Sequence, residues 1–334
     1  MASGVAALLL EVLFVLGMVL FGLGFLWNVR RTPRGALAAL IFDDNHKHLF
    51  RAAGWVAFGL YWFALFPQYA AEDDLINALG AAVALPLFLL LAYHEHLSYR
   101  WREEYEPLRF LCGAAFIATA VYFVFDRFPG LSTALINLVA QNTVSMLGWI
   151  GETYTVGPAI LAGNTGFYRV NAEEIRVPLL DPAAGNAAVV DIVLACTAIQ
   201  ALAIAAALIF STRDPPRRKA IAVAVIFPVT YVMNLVRNVV VVHYYYARGE
   251  SFDLVHSGYG KGLSLVVTIV LLLLAFYLLP ELYVMLNGLY DLPWRRKPGW
   301  DYRSNAGTLF RKSHEKARAQ RPAAAKADPP VGKG

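Results

Sequence analysis

Three residues have types and surroundings suited to nucleophilic chemistry: Cys196 in AVVDIVLACTAIQAL, Arg237 in NLVRN and His256 in SFDLVHSGYGKGL. The thiolate is the attacking form of a cysteine, and a cation beside it favours that form. A guanidinium can instead donate to the oxyanion of a tetrahedral intermediate, while an imidazole acts as base or as acid for a leaving amine. Asn234, Arg237 and Asn238 share one helical face by their i, i+3, i+4 spacing. Gln200 lies one turn beyond Cys196 on the same face, and Asp191 precedes it in the same apolar run. Asn234, Asn238, Gln200 and Asp191 are therefore the substrate-binding candidates. Neither metal nor cofactor is expected. His94-Glu95-His96 alternates so that a helix points the two imidazoles apart, and HSGYGKG lacks the spacing of a phosphate loop.

The elements that must carry these residues are set by composition. The chain has 334 residues, 58% hydrophobic and 16% charged, with a mean hydropathy of +0.50; soluble domains run roughly 45–50% apolar and about 25% charged. This excludes a water-soluble enzyme and intrinsic disorder. Two cysteines exclude a disulfide scaffold, and a net charge of +5 spread over loops and a tail excludes a nucleic-acid binder. The expected fold is an all-α integral membrane protein of about seven transmembrane helices with a small extracytoplasmic lobe. The apolar runs place spans near 5–28, 51–70, 75–97, 109–127, 187–210, 220–243 and 262–287. Four regions follow: an N-terminal four-helix region 1–127, an extracytoplasmic or interfacial lobe 128–186, a three-helix catalytic core 187–287 and a basic cytoplasmic tail 288–334.

Charge orients the spans. Arg30, Arg31, Arg34 and Lys47, then Arg100 and Arg102, then Arg213, Arg217, Arg218 and Lys219, and finally the tail from Arg295 all fall on one side, which reads as cytoplasmic. Glu72-Asp73-Asp74, residues 128–186 and residues 244–261 fall on the other, leaving the N-terminus outside and the C-terminus inside. Leu131 to Ile150 is long enough to span, but Asn137, Gln141 and Ser145 put a polar stripe along it, so it is expected to lie in the outer interface or re-enter. Residues 152–180 are polar and Gly/Pro-punctuated, with local alternation that suits a hairpin. A cleavable signal peptide is not expected in the first run, and the Ala/Pro/Lys-rich tail from about Asn305 reads as disordered.

Ionisable residues inside spans cost at least about 2.5–3.5 kcal/mol each on insertion scales. Glu11, Asp191 and Arg237 are the three that qualify, with no partner assignable to Glu11. In span five Cys196 falls about 13 Å below the outer end, and Arg237 lies at similar depth in the antiparallel span six. The outer loop after it brings His256, with Gly258, Gly260 and Gly262 giving that loop backbone freedom. The bland alternatives are a packed small hydrophobe for Cys196, a snorkelling cation for Arg237 and an interfacial loop residue for His256. Cys112 is the inert example of the first, near the cytoplasmic end of span four, too far in depth from Cys196 for a disulfide. Asp43, Asp44, His46 and His48 read as a solvated cytoplasmic loop.

The succession ACTAIQ at 195–200, NLVRN at 234–238 and a histidine in the next outer loop resembles the exosortase/archaeosortase family, and CT after the alanine is most similar to its archaeosortase A branch. The resemblance, carried mainly by residues 187–287, implies a membrane-embedded cysteine transpeptidase. Its partners would be C-terminal sorting signals of secreted surface proteins, each a short motif, a transmembrane helix and a basic cluster. A membrane lipid would be the acyl acceptor, and nucleic acid is not a partner. Position by position it implies Cys196 as nucleophile, Arg237 as essential cation and His256 as third member, on the extracytoplasmic side of a multi-pass protein of the cell membrane. The competing class is a transporter or channel in which Glu11, Asp191 and Arg237 line a polar pathway; no internal repeat supports it. A scaffold for envelope enzymes is a third reading, in which Cys196 is dispensable.

Overall fold

The computed structural model describes residues 4–27, 43–71, 75–163, 173–252 and 254–303. The basic residues 30–34, the acidic turn 72–74, part of the expected hairpin and the tail from 304 lie outside them. The described helices are α1 (Gly4–Leu26), α2 (His46–Ala71), α3 (Leu75–Trp101), α4 (Glu106–Arg127), α5 (Pro129–Trp149), α6 (Ile199–Ser211), α7 (Pro216–Val242), α8 (Lys261–Leu278) and α9 (Pro280–Tyr290). Six are long and apolar enough to cross a membrane, α7 and α8 being extended by π-helical turns to Ala247 and from Leu254; α6 is a shorter apolar helix. Together these make a multi-pass helical membrane protein.

Helices α1, α2 and α4 pack through aromatic rings seated on small residues. Phe21 is fully buried against Trp55 and Phe58, and a Cβ at Gly54 would come within 2.7 Å of its ring. With no hydrophobic drive between helices in lipid, such close approach supplies the association energy. Glu11 acquires a partner, the guanidinium of Arg127 at 3.1 Å.

One end of the bundle is tied by polar contacts between distant segments. Tyr105 donates to the carbonyl of Gly288 at 2.7 Å, Arg213 to Glu106 at 2.6 Å, and Arg295 to Ser98 at 2.8 Å. The basic loops around residues 100, 213 and 295 therefore share this end. His48 does not sit in a solvated loop as expected. It is 2% exposed and pairs with Glu95 at 2.8 Å, and Arg51 reaches both Glu95 and Glu104. A long-range ion cluster, invisible to local composition, has drawn it into the protein.

The opposite end carries the lobe. The run from Leu131 falls on α5, a full helix whose Gln141 and Ser145 face outward, while Ile136, Val139, Ala140 and Leu147 are completely buried under a small antiparallel sheet and against α7. The sheet is built on β3 (Glu173–Asp181), which pairs with β1 (Thr155–Val156), β2 (Ile160–Gly163) and β4 (Ala187–Ile192). The β2–β3 pair is the expected hairpin. The fourth strand is a correction, because Ala187–Ile192 was expected to begin transmembrane span five. Its Val189, Val190 and Ile192 are β-branched and suit a strand; Val189 and Ile192 are buried in the lobe core. The lobe thus extends past residue 186, and the helical part of span five is only α6, about 20 Å long at 1.5 Å per residue.

Candidate active site

Cys196 does not lie within a transmembrane helix, where the span-five reading expected it. It closes a 3₁₀ turn, Leu194–Cys196, between β4 and α6. Thr197 locks that turn, its hydroxyl donating to the carbonyl of Leu194 at 2.7 Å. Ala198 follows with φ +64° and ψ −1°, a left-handed conformation uncommon outside glycine. The chain thus turns sharply at Cys196 and enters α6 immediately afterwards. Cys196 is partly exposed, whereas Cys112 is fully buried with its sulfur 3.5 Å from the carbonyl of Phe21; both are free.

Helix α7 grips the turn by its backbone. The side-chain amides of Asn234 and Asn238 both donate to the carbonyl of Cys196, at 2.7 and 3.1 Å. Asn238 also accepts from Nη1 of Arg237 at 3.4 Å, and Nη2 of Arg237 contacts Nε2 of His256 at 3.1 Å. A guanidinium only donates, so in this contact Nε2 of the histidine is placed to accept. Phe252 stacks on that ring with centroids 5.0 Å apart. His256 belongs to the π-helical segment Leu254–Gly260, which runs directly into α8. The expected glycine-hinged loop is therefore helical. Gly260 has an ordinary φ of −65°, and a Cβ there would lie in ordinary contact, 3.4 Å from Nε of Arg237, so neither conformation nor space requires the glycine.

Cys196, Arg237 and His256 line one cavity of about 620 Å³ together with Asp191, Gln200 and Asn238. Every residue expected from sequence as catalytic or substrate-binding thus lies in this cavity or, for Asn234, in the space adjoining it. Their immediate partners differ in instructive ways. Asp191 is on a strand, not within a span, and faces Arg176 at 3.5 Å. Gln200 hydrogen-bonds Tyr122 of α4. Asn234 and Asn238 hold the cysteine backbone. Glu11 is paired to Arg127 and Asp191 to Arg176, so two of the three groups that a transport pathway would need are held in separate ion pairs. Lys261, at the start of α8, also lines the cavity. It sits in the HSGYGKG string, and a lysine opening an apolar helix beside the other candidates is the signal that could have marked it. Among the described residues no group of histidines, cysteines and carboxylates could hold a metal ion, and Glu95, flanked by the alternating His94 and His96, is engaged by His48 and Arg51.

A second polar site stands at the rim. Glu152 pairs with His243 in the π-helical turn after α7, and burial, with Glu152 nearby, pushes the Tyr154 phenol up to about 12. Tyr246 donates to Asp181 at 2.9 Å, so this rim fastens the lobe to the end of α7.

The family model described as transmembrane exosortase matches residues 12–275. Archaeosortase A of Haloferax volcanii is 26% identical over 216 residues, 60% of this chain and 65% of that relative. Archaeosortase A of Natronomonas pharaonis is 26% identical over 193 residues, 56% of this chain and 55% of the relative. The chain thus matches somewhat less than two thirds of the length of either. No solved structure matches significantly.

Proposed function

This chain belongs to the transmembrane exosortase family, and from that premise we propose that it is a membrane-embedded cysteine transpeptidase that cuts C-terminal sorting signals from secreted surface proteins and passes the new C-terminus to a membrane lipid. The observation that carries this reading is the single cavity shared by Cys196, Arg237 and His256, with the cysteine presented on a turn held by the helix that bears the arginine.

The sequence of steps follows from the donors and acceptors. At rest Arg237 occupies Nε2 of His256. When a peptide carbonyl enters, the guanidinium turns to it and releases that nitrogen, which takes the proton of the Cys196 thiol as the sulfur attacks. The C–S bond forms and the carbonyl π-electrons move to oxygen, where Arg237 donates to the oxyanion. Collapse breaks the C–N bond, and the imidazolium gives its proton to the departing amine. The thioester splits one hard substitution into two easier ones. A lipid amine or hydroxyl then attacks it, losing a proton to His256, and the thiolate leaves and is reprotonated.

With the basic end of the bundle read as cytoplasmic by the positive-inside rule, the sheet, the cavity and Cys196 lie at the extracytoplasmic face in this proposal. There a substrate whose own basic cluster stays inside would present the residues just outside its transmembrane helix. The test is a sorting-signal substrate incubated with membranes: the wild-type chain shortens it at the C-terminus and adds lipid mass, and Cys196→Ala does neither. A shortened product bearing a free carboxylate and no lipid would leave a protease in place of a transpeptidase.

A further inference from the structure

The cavity at Cys196 continues into the membrane region. It shares Ala195, Gln200, Arg237 and Lys261 with a smaller space of about 360 Å³, and that space shares Ala198, Ala201, Asn234, Ser264 and Thr268 with a slot of about 390 Å³. The slot runs between α6, α7 and α8, walled by residues such as Ala205, Leu208, Met233, Val267 and Leu271, and reaches Ala275.

Its length and lining say what it can hold. Alongside α6 it extends from Ala198 to Ile209, about 16 Å at 1.5 Å per residue. The wall is apolar apart from Thr230, Asn234, Ser264 and Thr268. Such a wall gains by burying hydrocarbon.

Charge identifies the other end of the occupant. Among the described residues Arg237 contacts the side chains of His256 and Asn238, and neither it nor Lys261 has a carboxylate partner. The cavity wall carries Arg176, Arg237 and Lys261 against a single carboxylate, Asp191, which faces Arg176. Two cations with no carboxylate partner among the described residues, beside an apolar slot, suit an anion that is joined to a hydrocarbon chain.

We propose that the slot seats one chain of a phosphate-bearing membrane lipid, with its phosphate against Lys261 beside Arg237 and its headgroup nucleophile in the cavity of Cys196. The role of that lipid as acyl acceptor rests on the transpeptidase reading above; its binding does not. Lys261 is then a specificity residue for the acceptor, and the slot separates acceptor binding from the docking of the substrate helix.

Two measurements keep the two readings apart. In the first, inactive Cys196→Ala protein in nanodiscs is illuminated with a phospholipid carrying a photoreactive chain. Label should appear in residues 263–275, fall at least fivefold with Lys261→Gln, fall likewise when Leu271→Trp or the smaller change Val267→Phe fills the slot, and be weak with a diacylglycerol bearing the same chain. Equal labelling by the uncharged lipid, or labelling indifferent to both slot fillers in protein with an unchanged melting curve, overturns the proposal. In the second, Leu271→Trp and Lys261→Gln are assayed in the active enzyme, where lipidated product should fall about tenfold while cleaved, unlipidated product persists. Cleavage and lipidation falling together would mean that the slot takes the substrate helix, and overturns it too. If the lipid labels the slot but the wild type only hydrolyses, the lipid site stands and the transpeptidase reading falls.

Discussion

Arg237 and His256 meet at 3.1 Å, Nη2 to Nε2, so the candidate base and the candidate oxyanion donor occupy each other until substrate arrives. In the proposed mechanism, release of this contact is the condition for catalysis. Arg237→Lys cannot reach His256 and Asn238 together with one ammonium, and it loses the planar donor fork. The expected result is a fall in kcat of about 10²–10³ with protein of normal stability. His256→Gln keeps an acceptor near Arg237 but no base, and is expected to lower kcat by about 10²–10⁴ with little change in KM. Single-turnover cleavage of a sorting-signal substrate reads both.

The two amide donors on the Cys196 carbonyl make Asn234 and Asn238 positioning residues. Losing either bond costs about 0.5–1.5 kcal/mol, or roughly 2- to 12-fold in kcat/KM. Because they share one acceptor, the double variant Asn234→Ala/Asn238→Ala should lose more than the product of the single effects. A double-mutant cycle on kcat and KM separately tests this: a strictly additive loss confined to KM would point to direct substrate contacts instead.

Cys196 and Cys112 should differ in reactivity. The first is partly exposed on the turn; the second is fully buried among α1, α2 and α4. A maleimide applied to folded protein should modify Cys196 alone and stop processing, and Cys112→Ala should process substrate at the wild-type rate.

The ion cluster at the basic end gives a pH signature. Burial alone would raise the Glu104 carboxyl, but Arg51 at 2.5 Å, helped by His48 and Lys47, more than reverses this and holds it at about 2 against an ordinary 4.5. A carboxylate depressed in the folded state contributes stability above the unfolded value, and that contribution is lost as pH falls toward the folded one. The melting temperature in detergent should therefore hold between pH 7 and about pH 5 and decline below about 4.5 as protons bind the unfolded chain. Glu104→Gln should lower it at pH 7 and flatten that decline.

Much of this architecture is readable in the sequence because apolar length specifies a membrane helix almost regardless of context. The helices over 46–71, 75–101, 106–127 and 216–242 coincide with apolar runs. Residues 187–210 show the limit. That run is apolar throughout, so length alone makes it one helix, yet β3 offers a pairing edge that turns its first six residues into a strand. The face shared by Asn234, Arg237 and Asn238 is legible from helical spacing. That its two amides hold a backbone carbonyl is not, because such an acceptor leaves no mark in side-chain type. The His48–Glu95 pair escapes for a related reason, its partners being 47 positions apart and joined only by helix packing.

The central claim is that Cys196 forms the thioester. Hydroxylamine added to wild-type membranes with a sorting-signal substrate should intercept the acyl-enzyme and leave a shortened product ending in a hydroxamate, detected by intact mass. In Cys196→Ala membranes, with the protein inserted at normal level, neither hydroxamate nor shortening should appear. Shortened product formed by that variant at the wild-type rate would contradict the account.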